Sequence, residues 1–276
     1  MPDDSSHPLL RFEDVSVLFD EAPALDHISF EMRPGETRII LGAAGSGKTV
    51  LLKTAIGLQR VDSGRVFVFD KDITHMSEQE LFDVRAQVGV LFQEGGLFDS
   101  MTIDENVSYP LLNQRARKTP PPASEVDEKV RETLRFVELE QTLDQFPSEL
   151  SGGMRRRVGI ARAVVTEPAL VLYDSPTAGL DPITANTIIA LIIKERDTRN
   201  AAAMMATHRY QDGQMMANFR YNPESSALRR VSANGSGHNG LKTIFMVMHE
   251  GRLAFEGMQD ELEASQDVYV SKFVKR

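Results

Sequence analysis

The sequence contains no cysteine, which excludes disulfides, thiolate metal sites and cysteine nucleophiles and fits a cytosolic compartment. It carries no excess of positive charge. Its 31 Lys and Arg against 40 Asp and Glu leave a formal net charge of −9, which argues against a general nucleic-acid binder, although a local basic patch is still allowed. No apolar run approaches the roughly 18 residues needed to span a bilayer. The best candidate, Ile188 to Ile193, is six residues long and bounded by polar ones. Residues Met1 to Pro8 lack the charged-then-apolar layout of a signal peptide and are expected to be disordered. Membrane association is therefore expected to come through a partner. What is present is ordinary for a soluble globular chain: 276 residues, 41% hydrophobic and 26% charged, enough for one large domain or two small ones.

The chain is organised around residues 38–57. Ile39 to Leu41 reads as a buried strand, Gly42 to Gly47 as a glycine-punctuated loop, and an apolar-periodic helix begins near Lys48. Gly42-x-x-x-x-Gly47-Lys48-Thr49 fits the phosphate-binding loop pattern in its strand–loop–helix context. Glycines let backbone N–H groups converge on phosphates, and the helix N-terminus adds positive dipole. Lys48 would reach the β- and γ-phosphates and Thr49 would ligate Mg²⁺. The competing reading is a Gly-rich turn before an ordinary core helix.

Upstream, Leu9 to Phe19 and Leu25 to Met32 read as strands joined by a turn through Asp20 to Pro23. Phe19 ends its strand and is either a core or edge aromatic or a platform for a base. Downstream, Arg65 to Phe69 reads as a strand, residues 76–86 as a helix with Ser77 as N-cap, and Val88 to Phe92 as a buried strand ending at Gln93. A helix is expected from Ile103 to Tyr109, an exposed basic and Pro-rich linker over 113–124, and an amphipathic helix from Glu125 to Val137. Ser151-Gly152-Gly153-Met154 then opens a basic helix, Arg155 to Val165, a second anion-binding geometry or an ordinary N-cap.

Ala169 to Tyr173 is an apolar strand ending at Asp174, the placement expected of a carboxylate serving Mg²⁺. A long helix is expected from Thr184 to Arg196, then a buried strand, Ala201 to Ala206, ending at Thr207-His208. A lone histidine is usually structural, but this one follows a core strand in the order Lys48, Gln93, Asp174, His208. Residues 220–242 are poor in apolar and rich in Gly, Ser and Asn, and are expected to be a flexible surface insertion. Arg229-Arg230-Val231-Ser232 is a weak phosphorylation signal within it. A hairpin, Thr243 to Met248 with Arg252 to Phe255, and a closing helix around Asp260–Ser265 complete the chain.

Taken together, these residues resemble the ATP-binding subunit of ABC transporters, over Leu9 to about Val274. The resemblance implies an α/β fold: a P-loop NTPase (RecA-like) core with an antiparallel β subdomain and a helical signature subdomain, about residues 94–165, in one ABC ATPase domain spanning 9–274. Phe19 looks like the adenine-stacking aromatic. The phosphate-loop motif is similar to Walker A, so Gly42, Ala43, Ala44, Gly45, Ser46, Gly47, Lys48, Thr49 and Val50 are expected to hold ATP. Gln93 looks like the Q-loop glutamine, which contacts Mg²⁺ and the attacking water. Leu150-Ser151-Gly152-Gly153-Met154 resembles the signature, completed by Met154 where Gln is commoner. Asp174 looks like the end of Walker B, Asp181 like the D-loop aspartate and His208 like the switch histidine. The implied metal set is Thr49, Gln93 and Asp174. The implied partners are a second ATPase subunit, closing head to tail, and a multi-pass membrane permease on the cytoplasmic face of the inner membrane. A narrower resemblance, carried by residues 96–107 and 147–157, is to the Mla/Mce-type phospholipid-transport ATPases, and would add an Mce-type substrate-binding protein.

The chain departs from that pattern at Ser175, where the family places a glutamate that acts as general base. Serine cannot accept a proton usefully near neutral pH, and losing a positioned base costs about 10²–10⁴-fold. Weak basal hydrolysis with retained ATP binding is expected. Three explanations compete: Gln93 and His208 position the water unaided, Glu94 takes the base role from the facing loop, or the subunit pairs with an intact one. The alternative functions are a soluble ABC ATPase acting on ribosomes or DNA, opposed by the acidic charge and the single nucleotide domain, and a nucleotide-dependent clamp or regulator, for which Ser175 is the argument.

Overall fold

The computed structural model describes residues 7–93, 95–113, 121–231 and 242–274. Most of the expected disordered N-terminus, Glu94, most of the 113–124 linker and Ser232 therefore lie outside the described residues.

Two sheets share the core. The first is antiparallel, built from β1 (Leu10–Phe19), β2 (Ala22–Met32), β4 (Ser63–Val68) and β5 (Lys71–Asp72), in the order β2-β1-β4-β5. The turn between β1 and β2 is tighter than expected. Asp20 and Glu21 both take positive φ (48° and 69°), the geometry of a two-residue hairpin turn that follows the strands' own twist, so Pro23 lies within β2. The second sheet has the order β12-β11-β3-β8-β7-β6, using β3 (Thr37–Gly42), β6 (Val88–Leu91), β7 (Leu170–Asp174), β8 (Ala202–Thr207), β11 (Thr243–His249) and β12 (Arg252–Gly257). All its pairings are parallel except that of β12 with β11.

Strands in such a sheet are covered on both faces and so read as unbroken apolar runs. In β3, Ile39 and Leu41 face one core cluster with Val171, Tyr173 and Met205. Ile40 faces the other, with Leu172, Met204 and residues of the antiparallel sheet. Helix α1 (Lys48–Thr54) packs Leu51 and Leu52 into that second cluster. Helix α2 (Glu78–Arg85) starts at a capping box between Ser77 and Glu80.

Between β6 and β7 the chain runs through α3 (Ile103–Leu112), α4 (Ala123–Phe136) and α5 (Gly152–Val164). Helix α3 outlasts the expected Tyr109 and continues through Pro110 to Leu112, although an interior proline disfavours the helix. Helix α4 buries Val126, Val130 and Leu134 as its periodicity requires. Helix α6 (Pro182–Arg199) follows β7, α7 (Tyr210–Asn218) follows β8, and α8 (Gln259–Glu263) and α9 (Ser271–Val274) end the described chain. Among the described residues, no helix is long and apolar enough to cross a membrane.

The expectation of a flexible insertion over 220–242 needs correction. Its first part is a two-stranded hairpin, β9 (Phe219–Asn222) with β10 (Ala227–Arg230). The cause lies in α6. Arg196, 0% exposed, donates through Nη1 to Met216 O (2.7 Å) and through Nη2 to Phe219 O (3.2 Å). It also pairs through Nε with Asp197 Oδ1 at 2.7 Å. Asp197 in turn accepts from Tyr221 N at 2.7 Å, and Leu228 packs on the core. Polar anchors on a preceding helix order a segment whose own composition could not.

One residue earlier, Glu195 is 1% exposed and lies beside the Tyr173 hydroxyl. Burial pushes its carboxyl up to about 7, against the opposing pull of Arg199, Tyr173 and Arg196. The folded state therefore holds this proton up to about pH 7, whereas the unfolded chain releases it near 4.5. Between those values the native state binds more protons, so stability from this group falls as pH rises and levels off above about 7. Glu195→Gln is expected to stabilise the protein at pH 8 by roughly 2–3 kcal/mol and to flatten the stability profile between pH 5 and 7. Urea unfolding across that range checks it, and an unchanged slope would contradict the assignment.

Candidate nucleotide site

Parallel strands point their carboxyl ends to one edge, and that edge is where ligands bind in open α/β sheets. The register places Gly42 opposite Met248, Leu41 opposite Thr207, Asp174 opposite Ala206 and Leu91 opposite Tyr173. Gly42, Gln93, Asp174 and His208 therefore come together along one rim, although 166 residues separate the first from the last (208 − 42).

At the rim's centre the phosphate loop wraps too tightly for side chains. A Cβ on Gly42 would lie 2.4 Å from Ser46 Oγ and 2.8 Å from Met248 O, and one on Gly47 (φ 100°) 2.3 Å from Ala24 O. Ala43, Ala44 and Gly45 form the exposed part of the loop, Ser46 and Gly47 are buried, and Lys48, Thr49 and Val50 are half-buried at the start of α1. The Lys48 ammonium donates to Gly42 O (2.9 Å) and Ala43 O (2.7 Å). Burial lowers its pKa below the usual lysine value, while the Asp174 charge pulls the other way. A half-buried ammonium at a helix N-terminus is suited to phosphate, and the carboxylate near it to a divalent metal.

Asp174 is 5% exposed. Ser175 occupies the position after it in a left-handed conformation (φ 50°). Its N–H donates to Ala206 O (2.8 Å) and its hydroxyl to Asp174 Oδ1 (3.2 Å). The serine thus serves the carboxylate and offers no base of its own. His208 is exposed just past β8, and Gln93 is exposed just past β6. Phe19 is 47% exposed at the β1–β2 tip, which removes the core reading. It pairs with Ala22, two residues from the Ala24 that touches Gly47. Among the described residues no group of three or more His, Cys, Asp or Glu could hold a metal ion. A metal here would have to be completed by phosphate and water oxygens, as Mg²⁺ commonly is.

The Ser151 site stands apart. Ser151 caps α5, its Oγ accepting from Met154 N at 3.2 Å, so Gly152 and Gly153 are the first helical turn and not the entry loop. Gly153 lies against Thr184, where a Cβ would come within 2.8 Å of Thr184 Cγ2. Asp181 caps α6, its carboxylate accepting from the N–H groups of Ile183 and Thr184 (3.0 Å each). The Thr184 hydroxyl, hydrogen-bonded to it, chiefly holds that carboxyl below its usual range. Ser151, Gly152, Gly153, Met154 and Asp181 line one open hollow of about 570 Å³, to which no residue of the phosphate loop contributes. Ile183, 79% exposed, stands at its edge.

Sequence reasoning missed two supporting groups. Asp212, buried in α7, accepts from Thr177 Oγ1 (2.6 Å) and Thr207 Oγ1 (2.8 Å) and faces Arg209 Nε at 3.5 Å. It ties the chain after Ser175 to the chain before His208. Its only trace in the sequence is an acidic residue in the first turn after the histidine. Arg162, on α5, donates to Gly95 O (3.2 Å) and Gly96 O (2.7 Å) and lies over the Phe98 ring. Burial lowers its pKa. With Val90, Tyr109, Pro110 and Asn113 it lines a cavity of about 330 Å³.

The fold and the rim define a nucleotide-binding cassette, and the comparisons agree. The ABC transporter family model matches residues 25–178. The methionine import ATP-binding protein MetN of Clostridium tetani is 33% identical over 265 residues, covering 96% of this chain and 79% of that protein. MetN 2 of Bacillus cereus is 36% identical over 204 residues, covering 72% and 59%. The probable ribonucleotide transport ATP-binding protein mkl of Mycobacterium leprae is 37% identical over 190 residues, covering 69% and 54%. A solved nucleotide-free ATP-binding cassette from an ABC transporter superimposes with a TM-score of 0.75 at 26% identity, covering 97% of this chain and 99% of that one. The chain belongs to the ABC transporter family. Its matched region is somewhat over half the length of several of the curated relatives.

Asp212→Ala should destabilise the protein by about 2–3 kcal/mol, since two hydroxyls lose a charged acceptor and Arg209 its partner. Urea unfolding at pH 7 measures this, and a loss below about 0.5 kcal/mol would mean that water replaces the carboxylate without cost.

Proposed function

We propose that this chain is the ATP-binding subunit that powers an ABC transporter through a separate membrane permease. The observation that carries the reading is the separation of two helix N-termini suited to anions. One opens at Lys48 on the rim and the other at Gly152 in its own hollow. Two copies, or two related subunits, set head to tail would bring each phosphate loop against the partner's Ser151–Met154 turn, so that ATP joins them and loss of the γ-phosphate releases them. In that arrangement Gly42 to Val50 hold the phosphates, Phe19 stacks on the adenine, and Asp181 and Ile183 lie at the seam. Thr49, Asp174 and Gln93 offer oxygens suited to Mg²⁺, which when bound with ATP neutralises charge on the phosphates. Gln93 and His208 border the γ-phosphate position and orient water there. The cavity beside Arg162 and Tyr109 is the surface on which the permease sits, which keeps the subunit peripheral, at the cytoplasmic face of the membrane.

For cargo we favour phospholipid, with an Mce-type substrate-binding partner, on the resemblance of residues 96–107 and 147–157. Asn106 supports the importance of the first stretch. It accepts from Phe98 N (2.8 Å) and donates to Phe98 O (3.0 Å) and Met101 O (3.1 Å), pinning the loop between Gln93 and α3. The names of relatives point to methionine or ribonucleotides instead. The cassette touches cargo only through its permease, so transport by the reconstituted complex decides. Phospholipid transfer supports this assignment, and ATP-dependent methionine uptake without lipid transfer would replace it.

A second reading, a nucleotide-dependent clamp with little turnover, is favoured by Ser175 alone. Ser175→Glu is expected to raise ATP turnover about 10²–10⁴-fold while leaving ATP affinity nearly unchanged. Phosphate release measured with and without solubilised permease tests this. Fast turnover by the unaltered chain, little changed by the substitution, would assign the base role to another group.

A further inference from the structure

We infer that Tyr269 is a positioning residue for the phosphate loop, built into a C-terminal strap that also grips the helix after His208. The inference rests on the nucleotide-site reading and goes beyond it, since no motif includes Tyr269.

The Tyr269 hydroxyl bridges two backbone groups. It donates to Met248 O at 3.1 Å and accepts from Ala43 N at 3.4 Å. Ala43 is the second residue of the loop. Met248 is the register partner of Gly42, and its carbonyl lies where a Gly42 Cβ would come within 2.8 Å. A single hydroxyl therefore pins the first turn of the loop to the neighbouring strand, on the side where the glycines leave no side chain to do so.

The ring that carries it is held by two aromatic neighbours. It stacks on His249 with centroids 3.7 Å apart and planes 18° apart, and meets Phe273 edge-on at 5.3 Å. Asp267 Oδ1 accepts from the N–H groups of Tyr269 (2.8 Å) and Val270 (2.9 Å). The strap's other end is tied as well. Glu263 Oε1 accepts from the Tyr210 hydroxyl (2.6 Å) and from Gln259 Nε2 (2.8 Å), and Gln259 Oε1 accepts from Asn218 Nδ2 (3.0 Å). Tyr210 stands two residues past His208. One short segment thus touches both the loop after β3 and the helix that follows the adjacent strand β8. By fixing Ala43, Tyr269 presents the remaining loop amides already converged, so that less ordering is left to occur when phosphate binds.

The test is equilibrium binding of a fluorescent ATP analogue, with Mg²⁺, to the full chain. Tyr269→Phe keeps both ring contacts and deletes only the bridge. The dissociation constant is expected to rise roughly three- to tenfold with the thermal midpoint lowered by no more than a few degrees. In a Ser175→Glu background, KM for ATP should rise by the same factor while kcat holds, the split expected when ground-state binding alone is weakened. Tyr269→Leu, which also removes the stacking, should bind no more tightly than Tyr269→Phe. Affinity of Tyr269→Phe indistinguishable from the parent overturns the inference. A parent chain that binds no more analogue than Lys48→Ala overturns the nucleotide-site reading, and this inference with it.

Discussion

The structure depends on the close approach of backbone to backbone around β3. Gly42 sits under Met248 O and Gly47 under Ala24 O, at distances no Cβ could occupy. That contact joins the parallel sheet, the antiparallel sheet and the start of α1 at one point. An alanine at either glycine would displace a carbonyl that belongs to another element. Its neighbours press the loop into a tight curve, the kind of backbone geometry in which N–H groups can converge on an anion.

Around that point the architecture divides labour between two kinds of contact. Apolar packing on both faces of the central sheet sets where the strands lie, and thereby aligns Gly42, Gln93, Asp174 and His208. Buried polar links then set how the loops leave those strands. Asp212 joins the segments after Ser175 and before His208, Arg162 holds the Gly95–Gly96 carbonyls behind Gln93, and Tyr269 braces Ala43. Each link reaches from an element distant in sequence to the loop it steadies.

The separation of the Ser151 hollow from the rim gives the chain an unfinished character. Its two anion-binding turns cannot serve one phosphate from within a single copy if they line different concavities. On the proposed reading a second subunit completes the site, and the position of Ser175 would make that subunit's own composition matter. If the two subunits differ, one intact site would suffice for turnover and this chain would contribute binding energy alone.

Pattern along the chain was enough to place the strands of the parallel sheet, the glycine-bounded loop after Leu41 and the order of Gly42, Gln93, Asp174 and His208. Unbroken apolar runs have few alternatives to burial, and glycines at fixed spacing permit conformations that other residues resist. Sequence also disclosed the serine at position 175, though not its left-handed backbone or its bond to Asp174. The folded structure alone shows that residues 219–230 form a hairpin, because the order comes from Arg196 and Asp197 on another element. It alone revealed Asp212 and Tyr269, whose partners lie 35 and 226 residues away. Local pattern records what a residue prefers, but a hydrogen bond between distant segments exists only once packing has brought them together.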